Sequence, residues 1–304
     1  MPNVKLEDKS SKLKRMSYFK VLAFTKEPFS TSPDPEFFYL SKEHEAALTN
    51  TLIELRLKRG LSVVLGDIGT GKTTLSRKLI QELKGRDDFI FHIILNPSFE
   101  NEKVFLSYLV RSFEIDTPEG VDLGAMELRD LLERFFFKKG VVEGKTVVLI
   151  IDEAQKMNDM SLECLRIFLN YETNSFKLLQ LVLLGQLELH SKIMSIPNFF
   201  DRISFKFTLN PLGYQEVKEL IEFRIRQAGF KSKTHLFLDG AVKEIHKYSR
   251  GYPRRVTMLC HRLLKQMVIK NKFVVDKHMV QDMIKDEVRE GWVKQENLLQ
   301  KNSY

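Results

Sequence analysis

Cysteine is scarce: two residues, Cys164 and Cys260, in a chain of 304. Both fall in helix-like segments and neither shows metal-ligand spacing. A disulfide framework and a cysteine metal site are therefore excluded, and ordinary thiols of a reducing compartment are expected. Long apolar runs are missing too. None reaches the roughly 18 to 20 residues that cross a bilayer. Residues 1–20 carry six Lys/Arg against Glu7 and Asp8, but no apolar stretch with a small-residue cleavage site follows. That is not a secretory leader, and the cytoplasm is the expected location. There is no internal repeat. Apolar residues nonetheless make up 43% of the chain, enough to bury a core and to set disorder aside.

Charge is unevenly placed. The formal net charge is +8, yet residues 202–304 hold 21 Lys/Arg against 11 Asp/Glu. The first 201 residues are thus slightly acidic. A basic C-terminal third suits nucleic acid or an acidic protein surface, and suits a solvated face equally well.

Residues 1–16 read as a mobile basic tail. The stretch 24–40, FTKEPFSTSPDPEFFYL, is broken by Pro28, Pro33 and Pro35 and is not helix. Its aromatic residues require a packing partner. From 41 to 210 helices and strands alternate. Strands are expected at 61–65, 89–95, 146–152, 178–185 and 204–209. Helices are expected at 41–59, 71–84, 101–113, 124–138, 159–170 and 187–194. Near-continuous apolar strands separated by helices predict an α/β domain, three layers deep, with a mostly parallel sheet. After Pro211 only helices are evident, at 213–228, 239–248, 253–270 and 276–289. The division expected is an N-terminal segment (1–40), an α/β nucleotide-binding domain (41–210) and an all-helical lid with a C-terminal tail (211–304).

Residues 66–73 read GDIGTGKT. A strand precedes them and a helix follows, the context a phosphate-binding loop requires. Gly66, Gly69 and Gly71 let the backbone turn tightly. With Asp67, Ile68 and Thr70 they aim N–H groups into one cavity at a helix N-terminus. Lys72 is placed for the β- and γ-phosphates of ATP, and Thr73 for magnesium. Thr74 is a weaker candidate one residue into the helix.

VVLIIDE at 147–153 carries Asp152 to the C-terminal end of a buried strand, the ligand side of an open α/β sheet. Asp152 suits magnesium, and Glu153 suits the base that takes a proton from water. The pair alone fits a helix N-cap as well. Only one strand lies between the two motifs in sequence. A further strand inserted between them in space is the arrangement of ATPases with a glutamate base. Gln186, after strand 178–185, suits a contact with the γ-phosphate and suits a plain turn residue as well. Arg202, in NFFDRISF, suits a reach to a neighbouring subunit's nucleotide and suits a plain surface arginine as well. In GYPRR at 251–255, two arginines in a helix's first turn oppose the helix dipole. Arg254 is the candidate phosphate contact, and Arg255 suits structure or nucleic acid.

These motifs, with IIDEAQ at 150–155, LLGQLEL at 183–189, DRI at 201–203 and GYPRRVTMLCHRLL at 251–264, resemble AAA+ ATPases of the ExeA/GspA type. The opening YFKVLAFTKEPFSTSPDPEFFYLSKEHEAAL, 18–48, resembles that family's PFxxxPDPxFxYxSxxHxxAL start. TnsC-like transposition ATPases are relatives less well matched there. The resemblance covers about residues 17–270. It implies a P-loop NTPase that hydrolyses ATP with magnesium and assembles into rings or filaments with nucleotide between subunits. By it, Lys72 and Thr73 are the loop contacts and Asp152 with Glu153 the acidic pair. Gln186 takes the first sensor's place, Arg202 the arginine finger's and Arg254 the second sensor's. The partners implied are envelope secretion or pilus proteins, with duplex DNA the alternative through the basic lid. Leu187 stands where the family usually has proline, and Thr257 where the lid helix commonly has asparagine. No membrane segment or peptidoglycan-binding part follows the ATPase. The soluble pilus-associated branch, or a free-standing regulator, is therefore expected.

Overall fold

A computed structural model describes residues 18–290, apart from 33, 119 and 233. The basic tail 1–16, Pro33 and the stretch from Trp292 lie outside the described residues. The chain forms two compact units. One is Lys42–Asn210. The other combines the described residues before Lys42 with those from Pro211 onward.

The first unit is built on five parallel strands: β1 (Leu61–Gly66), β2 (Phe89–Ile94), β3 (Thr146–Ile151), β4 (Leu179–Gly185) and β5 (Ile203–Leu209). Their spatial order is β2-β3-β4-β1-β5. The inner strands β1, β3 and β4 are buried along their whole length, which explains their unbroken apolar sequences. Edge strand β5 alternates half-buried and exposed positions instead. On the sheet's flanks lie α1 (Lys42–Arg56), α2 (Lys72–Leu83), α3 (Glu102–Ser112), α4 (Ala125–Phe137), α5 (Asp159–Phe168) and α6 (Glu188–Ser195). One face packs Val63, Leu149 and Leu181 with Phe105, Leu132, Phe136 and Phe168 in a continuous core. Side-chain caps start two of the helices: Asn101 accepts from Val104 N–H at 3.0 Å and Asn158 from Ser161 N–H at 2.9 Å. The π-helical turn Lys138–Val142 that extends α4 was not foreseen.

The second unit contains α7 (Tyr214–Gln227), α8 (Asp239–Ser249), α9 (Pro253–Ile269) and α10 (Lys277–Arg289). The N-terminal aromatic residues find their partners here. Phe24, Phe29 and Phe37 join one core with Ile221, Leu263 and Met267. Arg224 fixes the proline-rich strap. It is buried, donates to Pro28 O and Ser30 O at 2.8 Å each and to Thr257 Oγ1 at 3.1 Å, and lies over the Phe37 ring. Burial pushes its guanidinium down to about 10. Thr257, the departure from the expected asparagine, is thus an acceptor for this arginine.

Candidate functional site

The site follows from the sheet. β1, β4 and β3 are neighbours and parallel, so their C-terminal ends open on one side. Leu65 pairs with Gly185, and Ile151 with Leu183. Residues after these positions therefore converge: 66–73 after β1, Asp152 and Glu153 after β3, and Gln186 after β4. β4 lies between β1 and β3, the inserted strand that the sequence led us to expect.

The loop's glycines are there for geometry. Gly69 and Gly71 hold φ of 88° and 106°, open to glycine without strain. A Cβ on Gly66 would stand 2.7 Å from Thr70 Oγ1 and 3.1 Å from Leu209 O. Thr70 closes the turn by donating to Asp67 O at 2.9 Å. Asp67 and Ile68 are exposed at the rim. Lys72, only 5% exposed, donates to Gly66 O at 2.6 Å and Asp67 O at 3.0 Å. Burial lowers its pKa, and Glu153 and Asp152 oppose that shift. Thr73 and Thr74 follow in the first turn of α2, with Thr74 N–H donating to Gly71 O at 3.0 Å.

One residue here escaped the sequence reading. His44 of α1 is buried with Nε2 2.8 Å from Thr70 O. A carbonyl oxygen only accepts, so Nε2 carries the hydrogen. The histidine is a fixed position of the family opening quoted above, but nothing in the sequence names Thr70 as its partner.

Asp152 is 1% exposed. Burial raises its pKa, while a hydrogen bond from Thr73 and the Glu153 N–H, at 2.9 Å, pull it down. Ser76 Oγ lies 3.5 Å from Oδ2. A carboxylate buried beside a hydroxyl at a phosphate loop is a donor set suited to magnesium. Glu153 takes φ 54° and ψ 34°, a left-handed conformation costing of order 1–3 kcal/mol for a residue with a Cβ. Its Oε2 accepts from Gln155 Nε2 at 2.9 Å and faces Lys156 Nζ at 3.7 Å. Gln186 is half-buried, and its backbone N–H donates to Gln155 Oε1 at 3.0 Å.

Arg202 ends a short 3-10 turn, Phe200–Arg202, ahead of β5. Its Nε is buried and has no hydrogen-bond partner among the described residues. Such an orphan donor costs about 1–3 kcal/mol until a partner arrives. Arg254 and Arg255 are exposed in the first turn of α9, and Arg255 lies over the Tyr252 ring at 5.0 Å.

An AAA domain family matches residues 55–193. General secretion pathway protein A of Aeromonas hydrophila is 34% identical over 249 residues, 81% of this chain and 44% of that protein. The chain thus spans less than half that relative's length. Among solved structures, Cdc6p of Pyrobaculum aerophilum superposes with a TM-score of 0.62 at 18% identity, covering 83% of this chain and 69% of that one. The RuvB Holliday junction branch migration motor of Thermotoga maritima gives 0.52 at 17% identity, covering 80% and 68%. At such identities these two show the fold alone.

Proposed function

The chain belongs to the AAA+ group of P-loop proteins and is related to general secretion pathway protein A, and from that premise we propose that it hydrolyses ATP with magnesium between the subunits of an oligomer. The observation that carries this reading is the convergence of Lys72, Asp152 and Glu153 at the C-terminal ends of β1 and β3, the two parallel strands that flank β4. Gly66 to Thr74 cradle the phosphates, with Lys72 on the β- and γ-oxygens. Thr73 and Asp152 would hold magnesium, which would neutralise phosphate charge. Glu153 accepts a proton from the attacking water, and Gln186 orients that water against the γ-phosphate.

Arg202 completes the site from a neighbouring copy. Its buried, unpartnered Nε supports that role, since a phosphate oxygen would satisfy it. Arg254 remains the candidate second phosphate contact that the family resemblance implies. The kinship with general secretion pathway protein A supports a motor or switch for envelope secretion or pilus assembly, working in the cytoplasm and reaching the inner membrane through partner proteins. The test is phosphate release and sedimentation across a protein dilution series with MgATP. Turnover per subunit should rise as oligomers form. Turnover absent at every concentration would sink the reading.

A second reading, a DNA-bound regulator, is supported by the basic residues 202–304 and by exposed Arg254 and Arg255. It requires duplex binding that weakens steeply with salt.

A further inference from the structure

Gln155 has no part in the chemistry above, yet both ends of its amide are committed inside the site. Nε2 donates to Glu153 Oε2 at 2.9 Å, and Oε1 accepts from Gln186 N–H at 3.0 Å. The side chain therefore bridges the residues that follow β3 to those that follow β4. Its own carbonyl is fixed as well. Lys192 of α6 donates to Gln155 O at 2.7 Å and to Met157 O at 2.8 Å. Space for the amide is reserved at Gly185, where a Cβ would lie 3.3 Å from Gln155 Oε1 and 2.6 Å from Leu189 Cδ2.

The chemistry asks for an amide. The carboxylate of Glu153 needs a donor and the Gln186 N–H needs an acceptor. Glutamine offers both at once, glutamate only accepts, and lysine only donates. Glu153 also stands in a left-handed conformation. Its carboxylate thus departs from a backbone that regular structure does not fix, and a side-chain partner must aim it.

We propose that Gln155 is a positioning residue that aims the Glu153 carboxylate and locks it to the Gln186 end of β4, so that base and phosphate sensor move together. This rests on the reading of Glu153 as the base. Lys156 Nζ also faces the Glu153 carboxylate, at 3.7 Å.

The test compares Gln155→Glu and Gln155→Ala with the parent and with Glu153→Gln, in assembled protein with MgATP. Gln155→Glu keeps the volume and the acceptor for Gln186 N–H. It removes the donor and sets a second negative charge beside Glu153. MgATP affinity should stay within about twofold and kcat should fall about ten- to hundredfold. Gln155→Ala should lower kcat by a similar factor, again with MgATP affinity within about twofold. A purely structural role would lower the melting midpoint and the fraction of protein that binds MgATP along with turnover, which overturns the proposal. Affinity falling in step with turnover in both variants overturns it too, because Gln155 would then support the whole site. If Glu153→Gln turns over at the parent rate, the base reading itself fails. If Glu153→Gln is inactive while both Gln155 variants keep parental kcat, only the role of Gln155 falls.

Discussion

Lys72 Nζ stands 2.6 Å from the carbonyl oxygen of Gly66, the first residue of its own loop. With Asp67 O at 3.0 Å, two neutral carbonyls hold an ammonium that burial has already made less willing to carry charge. A triphosphate would exchange those carbonyls for anionic oxygens, a strong trade where water is excluded. Lys72→Met should weaken MgATP binding by about a hundredfold, the worth of one or two charge-assisted hydrogen bonds. The nucleotide-free melting midpoint should shift by less than about 2 °C, because the lost bonds and the relieved buried charge offset each other. Calorimetric titration and nucleotide-free melting read the two effects separately.

Asp152 gives the opposite sign in stability. Burial raises its pKa, so the folded chain keeps a proton that the unfolded chain has released. Stability is therefore lost as pH rises from the ordinary carboxylate range through the raised native value, and the loss is complete above it. Asp152→Asn removes that penalty. The variant should melt about 2–4 °C higher than the parent at neutral pH without nucleotide, and with a flatter pH dependence. Magnesium with ATP should stabilise the parent far more than the variant. A midpoint lowered by the substitution would contradict the burial argument.

His44 is expected to hold the phosphate loop from behind. His44→Ala leaves Thr70 O without its buried donor, at a cost of about 1–3 kcal/mol. The melting midpoint should drop by several degrees and amide exchange in residues 66–71 should accelerate. Unchanged exchange in the loop would show that the contact is idle.

Much of this could be read in the sequence, for physical reasons. VVLII at 147–151 is apolar throughout because β3 is covered on both faces, and a strand buried on both sides has no polar positions to confuse its reading. The loop is legible because Gly66, Gly69, Gly71 and Lys72 are each demanded by backbone geometry or charge. The bridge made by Gln155 is different. Glutamine bonds to almost anything, and this one reaches Gln186, 31 residues on, only when β4 is laid beside β3. His44 likewise meets Thr70 through the docking of α1, 26 residues earlier in the chain. The aromatic residues of 24–40 announced a need for cover but not the cover itself. That choice was made by Arg224, whose three acceptors lie far away in sequence.

Arg202 should separate binding from assembly-dependent turnover. Arg202→Ala removes a donor whose Nε is buried without a partner among the described residues. The nucleotide-free protein should therefore lose little stability, or gain some. MgATP affinity of isolated subunits should be unchanged, while turnover in the assembled state falls about a hundredfold or more. Mixing variant with parent tests the trans geometry. Turnover should track the fraction of sites that have a parental neighbour.

If Glu153 activates water against a bound nucleotide, Glu153→Gln removes the base and leaves the phosphate contacts in place. Phosphate release from this variant, in assembled protein saturated with MgATP, reads that role. It should bind MgATP as tightly as the parent and release phosphate at least about a thousandfold more slowly, trapping ATP intact. Release at the parental rate, from protein shown to hold nucleotide, would contradict that role.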